Sequence, residues 1–499
     1  MNNLHPDEDV QLENEESLDP KNWEAMRVLG HRMIEDMMSY LESVRERPVW
    51  QPIPGSVKQK LSIPLPLNPQ KPEDIYQEFL DYILPHPMGN IHPRFWGWVI
   101  GTGTALGMLA ELLAAGMNPN VGGADHVANY VEAQVLEWCK EMLGYPMEAS
   151  GLLVSGGSMA NLVGLTVARN TMSGFDIRRE GLGAAQKPMT FYGSVETHSS
   201  NQKAVELLGL GSAALRQIPV NAEFQIVLPA LEATVSKDRD DGFHPICVIG
   251  NAGTVNTGAI DDLKALADFS EREGLWFHID GAFGALAALS PELRPLVSGL
   301  ERADSLAFDL HKWMYMPYEI GCVLVRNEAN HRCAFLMSAD YLTHAERGLA
   351  GGPLWFSEYG PQLSRGFRAL KAWMSIKEHG IKKYGRLIKQ NVDQARYLAE
   401  LVDDSPDLER LAPVPLNIVC FRFKADRLDH ASLNQLNQEL LIQLHERGIA
   451  VPSHTTLGGK YALRVAITNH RSRREDFDVL IRQVITLGEG LLGKDFGNA

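Results

Sequence analysis

The stretch Ala303-Asp-Ser-Leu-Ala-Phe-Asp-Leu-His-Lys-Trp313 decides how the rest of the chain is read. A short apolar run, Leu306 to Phe308, ends in a polar cluster in which His311 and Lys312 stand side by side before Trp313. A lysine at a strand end between a histidine and aromatics is poorly placed to be a solvated surface charge. One use for such a side chain is imine chemistry, because an amine withdrawn from water can shed its charge and attack a carbonyl. The other reading is a loop lysine whose aliphatic stem lies on Trp313. The stretch alone leaves both open.

Working outward, the neighbouring segments repeat its grammar. Apolar runs at 189–192, 246–249, 275–279 and 306–308 alternate with helical patterns at 200–208 and 262–273, which predicts a mostly parallel α/β sheet. Ligands of such sheets collect beyond the carboxyl ends of the strands. His198, Thr254, Asp280 and Lys312 each follow a strand end. Trp276, His278 and Asp280 fall on one strand face, and a carboxylate there needs a positive or hydrogen-bonding partner. An arginine salt bridge would satisfy that need equally well.

Upstream, Gly151-Leu-Leu-Val-Ser-Gly-Gly-Ser-Met-Ala-Asn-Leu162 runs from a strand ending at Val154, through a Gly-Gly turn, into a helix opened by Ser158. Free amides at that helix start, backed by its dipole, form an anion site that the glycines let a phosphate approach. The Walker A and G-x-G-x-x-G patterns are both absent, and a Gly-Gly-Ser turn without a ligand is the plain alternative.

The flanks are less specific. Met26, Leu29, Met33, Met37, Leu41 and Val44 recur at helical spacing, predicting a helix over 20–46 started by Asp19-Pro20. The proline-rich residues 48–72 read as an extended strap that packs on a partner subunit or on its own domain. A helix is expected over 127–143. His92-Pro-Arg-Phe-Trp-Gly-Trp98 followed by Gly101-Thr-Gly-Thr104 suggests backbone close to a ligand or another chain. Residues 338–363, with Gly348, Gly351, Gly352 and Gly360, read as either a disordered segment or a mobile lid, and Tyr341 lies near its start. A helical stretch at 366–400, strands at 418–423 and 461–467 and a helix at 432–447 form an α+β tail.

Composition bounds the function. A net charge of −15 argues against nucleic acid or an anionic membrane as partner. Asp7, Glu8, Asp9, Glu13, Glu15, Glu16 and Asp19 supply much of that charge in what reads as a solvated tail. Cys139, Cys247, Cys322, Cys333 and Cys420 are scattered without a Cys-x-x-Cys, which fits a reducing compartment and gives no metal pattern. No apolar run nears the ~20 residues a bilayer needs, and no basic-then-apolar leader opens the chain. A cytoplasmic protein is expected.

Taken together, the phosphate loop, His, Asp and Lys in that order resemble the fold-type I enzymes of pyridoxal phosphate. The wording is similar to that of the group II amino-acid decarboxylases, the family of aromatic-L-amino-acid decarboxylase. The resemblance rests on His92-Pro-Arg-Phe95, Ser155-Gly-Gly-Ser-Met-Ala-Asn161, His198-Ser-Ser200, His278-Ile-Asp-Gly-Ala282, Asp309-Leu-His-Lys-Trp313, Tyr341-Leu-Thr-His344, Arg365-Gly-Phe-Arg-Ala-Leu-Lys-Ala-Trp373 and Leu463-Arg-Val-Ala-Ile467, spanning about residues 20–490.

The resemblance implies a seven-stranded, mostly parallel sheet in a large domain (91–378, lid 338–363 included). It also implies an N-terminal arm (1–90) embracing the partner of a homodimer, and a small C-terminal α+β domain (379–499). It implies pyridoxal 5'-phosphate bound as an imine on Lys312, with Asp280 on the pyridine nitrogen and His198 on the ring face. Gly157, Ser158 and Ser305 would hold the phosphate. Ala282 and His311 would lie against the cofactor, and Thr254 would lie near the cofactor and the substrate carboxylate. Tyr341 would protonate the substrate Cα, which favours simple decarboxylation; relatives with phenylalanine there carry out oxidative deamination. Asp309 stands where several members have asparagine, and an anion there repels a phosphate unless it is protonated or paired. Trp98 aligns with an aromatic wall of the substrate pocket, so an aromatic L-amino acid is expected. An acidic substrate (glutamate, aspartate or cysteine sulfinate), oxidative deamination and a non-catalytic binding protein are the alternatives.

Overall fold

Apolar runs of four to eight residues, most buried on both faces, build the main sheet. The computed structural model describes residues 17–337 and 345–494. Its strands are β1 (Phe95–Trp96), β2 (Ser150–Val154), β3 (Met189–Ser194), β4 (Leu215–Ile218), β5 (His244–Asn251), β6 (Trp276–Asp280), β7 (Ser305–Asp309), β8 (Gly321–Val325), β9 (Leu408–Arg410), β10 (Ile418–Phe423), β11 (Val451–Leu457) and β12 (Lys460–Ala466). The seven-stranded sheet has the order β2-β8-β7-β6-β5-β3-β4. Strands β3 to β7 pair in parallel, and β8 runs antiparallel to both its neighbours. Helices cover it, which is why its strands are apolar throughout rather than alternating. The expected fold-type I architecture is present.

Register sets the chemistry. Val154, Gly321 and Asp309 form one row across the sheet, and Asn251, Asp280 and Ala307 form another. His278 pairs with Ser305, so Ser305 lies four residues below Asp309, about 13 Å along the strand. The ends of β2, β6 and β7 therefore meet at one edge. There the helix Gly157–Met172 starts from Gly156, in the extended conformation at φ 165°.

The second sheet, β1-β11-β12-β10-β9, departs from the expected partition. Phe95 and Trp96, expected in the large domain, pair in parallel with Val451 and Pro452 of β11. Trp96 stacks on Phe477 at 4.8 Å and donates its indole N–H to Ser472 Oγ at 3.0 Å. The 92–104 stretch is thus stapled to the C-terminal region, a pairing over some 350 residues that local patterns do not carry.

Smaller corrections have local causes. The first helix is Trp23–Glu42, capped by Asn22, whose side chain accepts the Ala25 amide, and not by Asp19. The strap contains the short helix Gly55–Lys60. The helical stretch expected at 366–400 is two helices, Ala369–His379 and Ile381–Asp403, broken at Gly380 with φ +67°. Among the described residues no helix is long and apolar enough to cross a membrane.

Candidate active site

A pocket of about 370 Å³ opens at the strand-end edge, and Gly156, Gly157, Ser158, His198, Asp309 and Lys312 are among its lining. Lys312 follows β7 within the short helix Leu310–Trp313. Its Nζ lies 2.8 Å from Asp309 Oδ2, while Asp309 itself is buried. His311 is buried beside it, with Nδ1 2.9 Å from the Ile320 carbonyl and the Tyr318 ring 4.3 Å away. Burial holds its pKa below the ordinary imidazole value. Close approach is enforced by Gly101, where a side chain would collide with the His311 and Lys312 carbonyls.

Asp280 forms the electrostatic floor. Its Oδ2 accepts from Asn161 Nδ2 at 2.9 Å and Asn201 Nδ2 at 2.7 Å, and its Oδ1 accepts from the Ala282 amide at 3.2 Å. No arginine salt bridge is present at Asp280 among the described residues, so the structural alternative does not hold. His198 Nδ1 contacts the Ser200 hydroxyl at 2.7 Å. His198 is exposed, yet desolvation lowers its pKa against the raising effect of Asp280.

The structure brings Gly157, Ser158, His198, Ala282, His311 and Lys312 together around the pocket, with Asp280 behind it. Thr254 is buried, and its hydroxyl accepts the Ala259 amide at 3.1 Å within its own turn. Ser305 is not at the helix start. Its hydroxyl is shared by Trp276 Nε1 and His278 Nδ1, each at 2.8 Å, at the opposite end of β7. The resemblance sets Ser305 on the phosphate, but Ser305 opens β7, at the amino end that ligands of a parallel sheet do not meet. Tyr341 lies outside the described residues.

The residues fit a phosphorylated aromatic aldehyde. A Cβ on Gly157 would stand 2.9 Å from Asp309 Oδ2, so glycine is what lets the Asp309 carboxylate and the helix start come together without a side chain crowding the amides. Lysine, carboxylate and imidazole surround the same cavity.

The model of the pyridoxal-dependent decarboxylase conserved domain matches residues 54–424. The chain belongs to this pyridoxal-dependent decarboxylase family. It is 34% identical to an aromatic-L-amino-acid decarboxylase of Bacillus atrophaeus, over 93% of this chain and 96% of that one. It is 28% identical to a phenylacetaldehyde synthase of Arabidopsis thaliana over 90% and 93%. The structure of an Oryza sativa TDC with PLP and tryptamine superposes with a TM-score of 0.88 at 25% identity, covering 95% of this chain and 100% of that one. The chain is accordingly a carboxy-lyase family member whose cofactor is pyridoxal 5'-phosphate.

Several residues of this decarboxylase escaped the sequence reading. Asn161 and Asn201 hold Asp280; both stand in or beside quoted motifs, but amide side chains give no periodic signal. Arg464 on β12 is buried and donates to the carbonyls of Trp98 (3.0 Å), Asn256 (3.1 Å) and Val255, and to Ser453 Oγ (3.1 Å). Burial lowers its pKa to about 10. It fastens the aromatic 92–98 stretch and the turn after Thr254 to the small sheet, which keeps Trp98 at φ +50° with its ring exposed. Glu132 and Arg365 form a fully buried ion pair. Arg365 also donates to the carbonyls of Val121 (2.7 Å) and Leu153 (2.6 Å), tying the exit of the glycine-rich segment to the strand that feeds the Gly156–Gly157 turn.

Proposed function

We propose that this enzyme removes the α-carboxylate of an aromatic L-amino acid, releasing the amine and carbon dioxide, with pyridoxal phosphate held between the Gly157 helix start and Lys312. The observation that carries the proposal is Lys312 Nζ, ion-paired at 2.8 Å and facing the pocket whose floor is the amide-clamped Asp280. When bound there, the cofactor supplies a conjugated ring that takes up the electron pair left as the Cα–carboxylate bond breaks. Lys312 would hold the cofactor through its amine, which would replace the aldehyde oxygen as that oxygen leaves in water. Asp280 holds the proton on the pyridine nitrogen, and the two amides keep its carboxylate aimed. His198 would stack on the ring, with Ala282 and Thr254 near it. The amides of Gly157 and Ser158, with His311, receive the phosphate. Tyr341 hands a proton to the substrate Cα.

Trp98, half exposed and outside the pocket's lining, supports the aromatic preference through the resemblance, which puts an aromatic wall at this position. A second reading, oxidative deamination to an aldehyde, draws on the phenylacetaldehyde synthase relative, and Tyr341 argues against it.

A cytoplasmic homodimer completes the proposal. Leu112, Leu113 and Met117 are about half exposed on the helix Ala105–Met117, and Leu61, Ile63, Leu65 and Leu67 are exposed on the strap, an apolar surface suited to a second copy. The test is a panel of L-amino acids assayed on cofactor-loaded enzyme for carbon dioxide, amine and peroxide. Aromatic substrates should yield equal amounts of carbon dioxide and amine without peroxide. Turnover confined to acidic substrates, or peroxide and aldehyde in place of amine, would refute the proposal.

A further inference from the structure

The row Val154–Gly321–Asp309 delivers a carboxylate to the start of the helix Gly157–Met172. Asp309 is 1% exposed. Its Oδ1 lies 2.6 Å from where a Cβ on Gly321 would stand and 3.6 Å from the same point on Gly156. Lys312 Nζ is its ion-pair partner, and among the described residues no other hydrogen-bond donor reaches either oxygen.

Two demands conflict at this helix start. Its free amides and dipole favour a bound anion, and the glycines leave room for one. An anion is nevertheless already fixed against Gly157. The groups facing Asp309 are few. His311 Nε2 stands 3.9 Å away on a ring that burial favours in the neutral form. The Tyr318 phenol is pushed up to about 12 by burial and then by Asp309, so it stays neutral. His198 lies across the pocket with a lowered pKa. Lys371 is engaged by Glu111 at 2.6 Å. The full positive charge at Asp309 is therefore Lys312, the side chain proposed to act on the cofactor.

We infer that Asp309 is a built-in competitor for the cofactor phosphate. It holds Lys312 and brings negative charge to the helix start. It thereby keeps phosphate affinity below what the glycine turn alone would give and makes the cofactor exchangeable. The inference rests on the cofactor reading above and deepens it. Two like charges a few ångströms apart in a partly dry pocket repel strongly enough to matter. An amide of the same shape would keep the packing against Gly157 and Gly321 and remove the repulsion.

The experiment titrates cofactor-stripped enzyme and its Asp309→Asn variant with pyridoxal 5'-phosphate, with phosphate-free pyridoxal and with inorganic phosphate. Visible absorbance follows the first two ligands and calorimetry the third. Asp309→Asn should bind pyridoxal phosphate about tenfold or more tightly and release it correspondingly more slowly. It should also gain affinity for inorganic phosphate, while pyridoxal changes by less than about threefold. If that variant fails to fold, Asp309→Ser tests the same loss of charge. Unchanged or weaker phosphate binding by the neutral variant overturns the inference. So does an equal gain for pyridoxal, which would place the effect on Lys312 rather than on the phosphate seat. Failure of the wild type to bind pyridoxal phosphate at all is a separate result, and it removes the cofactor reading itself.

Discussion

Two polar clusters flank the helix Gly157–Met172, built from similar residues and ending differently. One comprises Trp276, His278, Ser305 and Asn161. Trp276 Nε1 donates to Ser305 Oγ at 2.8 Å, Ser305 donates to His278 Nδ1 at 2.8 Å, and His278 Nε2 donates to Asn161 Oδ1 at 3.0 Å. Asn161 Nδ2 must face the Asp280 carboxylate, and that fixes the direction of the whole chain and the tautomer of His278. Each of these bonds is internal and buried. The other cluster, Asp309, His311 and Lys312, opens onto the 370 Å³ pocket and leaves donor and acceptor capacity unused. A closed network supports a site, and an open one can receive a ligand.

The sharpest way to break this contrast is at Lys312. Lys312→Ala should lower turnover by roughly 10⁴-fold or more while circular dichroism stays that of the wild type, as expected for loss of a nucleophile. Retained turnover would move the chemistry elsewhere. Asp280→Asn comes next. With the carboxylate gone, two amide donors confront a third amide and the pyridine proton loses its counter-charge. Turnover should fall by about 10²–10³, measured at saturating cofactor.

The closed network should reveal itself in acid. Burial lowers the His278 pKa to about 4, from 6.5 for a free imidazole. Above pH 6.5 the ring is neutral whether the chain is folded or not. As pH falls below 6.5 the unfolded chain gains a proton that the fold refuses, until pH nears 4. His278 should therefore cost stability on the order of 2–3 kcal/mol across that window, read from denaturant midpoints. His92, also held near 4 by burial, acts in the same direction. A flat stability profile from pH 6.5 to 4 would mean the network is not dry. The smallest effect belongs to Ser305→Ala, which should cost about 1–2 kcal/mol of stability and leave cofactor affinity within about twofold. A large loss of cofactor affinity would return Ser305 to the phosphate.

These cases explain what the sequence could and could not disclose. Strands bounded by turn residues were legible, as at Trp276–Asp280 and Ile418–Phe423, because period and punctuation are local. The strand-end clustering of His198, Asp280 and Lys312 followed from parallel topology. Ser305 was misplaced because the resemblance, and not its position at the amino end of β7, set it on the phosphate. The Asn161 and Asn201 clamp, the Glu132–Arg365 pair and the pairing of Phe95 with Val451 join residues 79 or more positions apart, and no local pattern encodes such contacts. The first helix began at Asn22 because two cap-forming residues compete there and only one presents its side chain to the free amides.

The most direct test of the central assignment is covalent. Cofactor-loaded enzyme is reduced with borohydride, digested, and the peptide carrying the phosphopyridoxyl mass located by mass spectrometry. The label should fall on Lys312 at close to one per chain and vanish in Lys312→Ala. Label on a different lysine, or a reduced protein carrying none, would contradict the account.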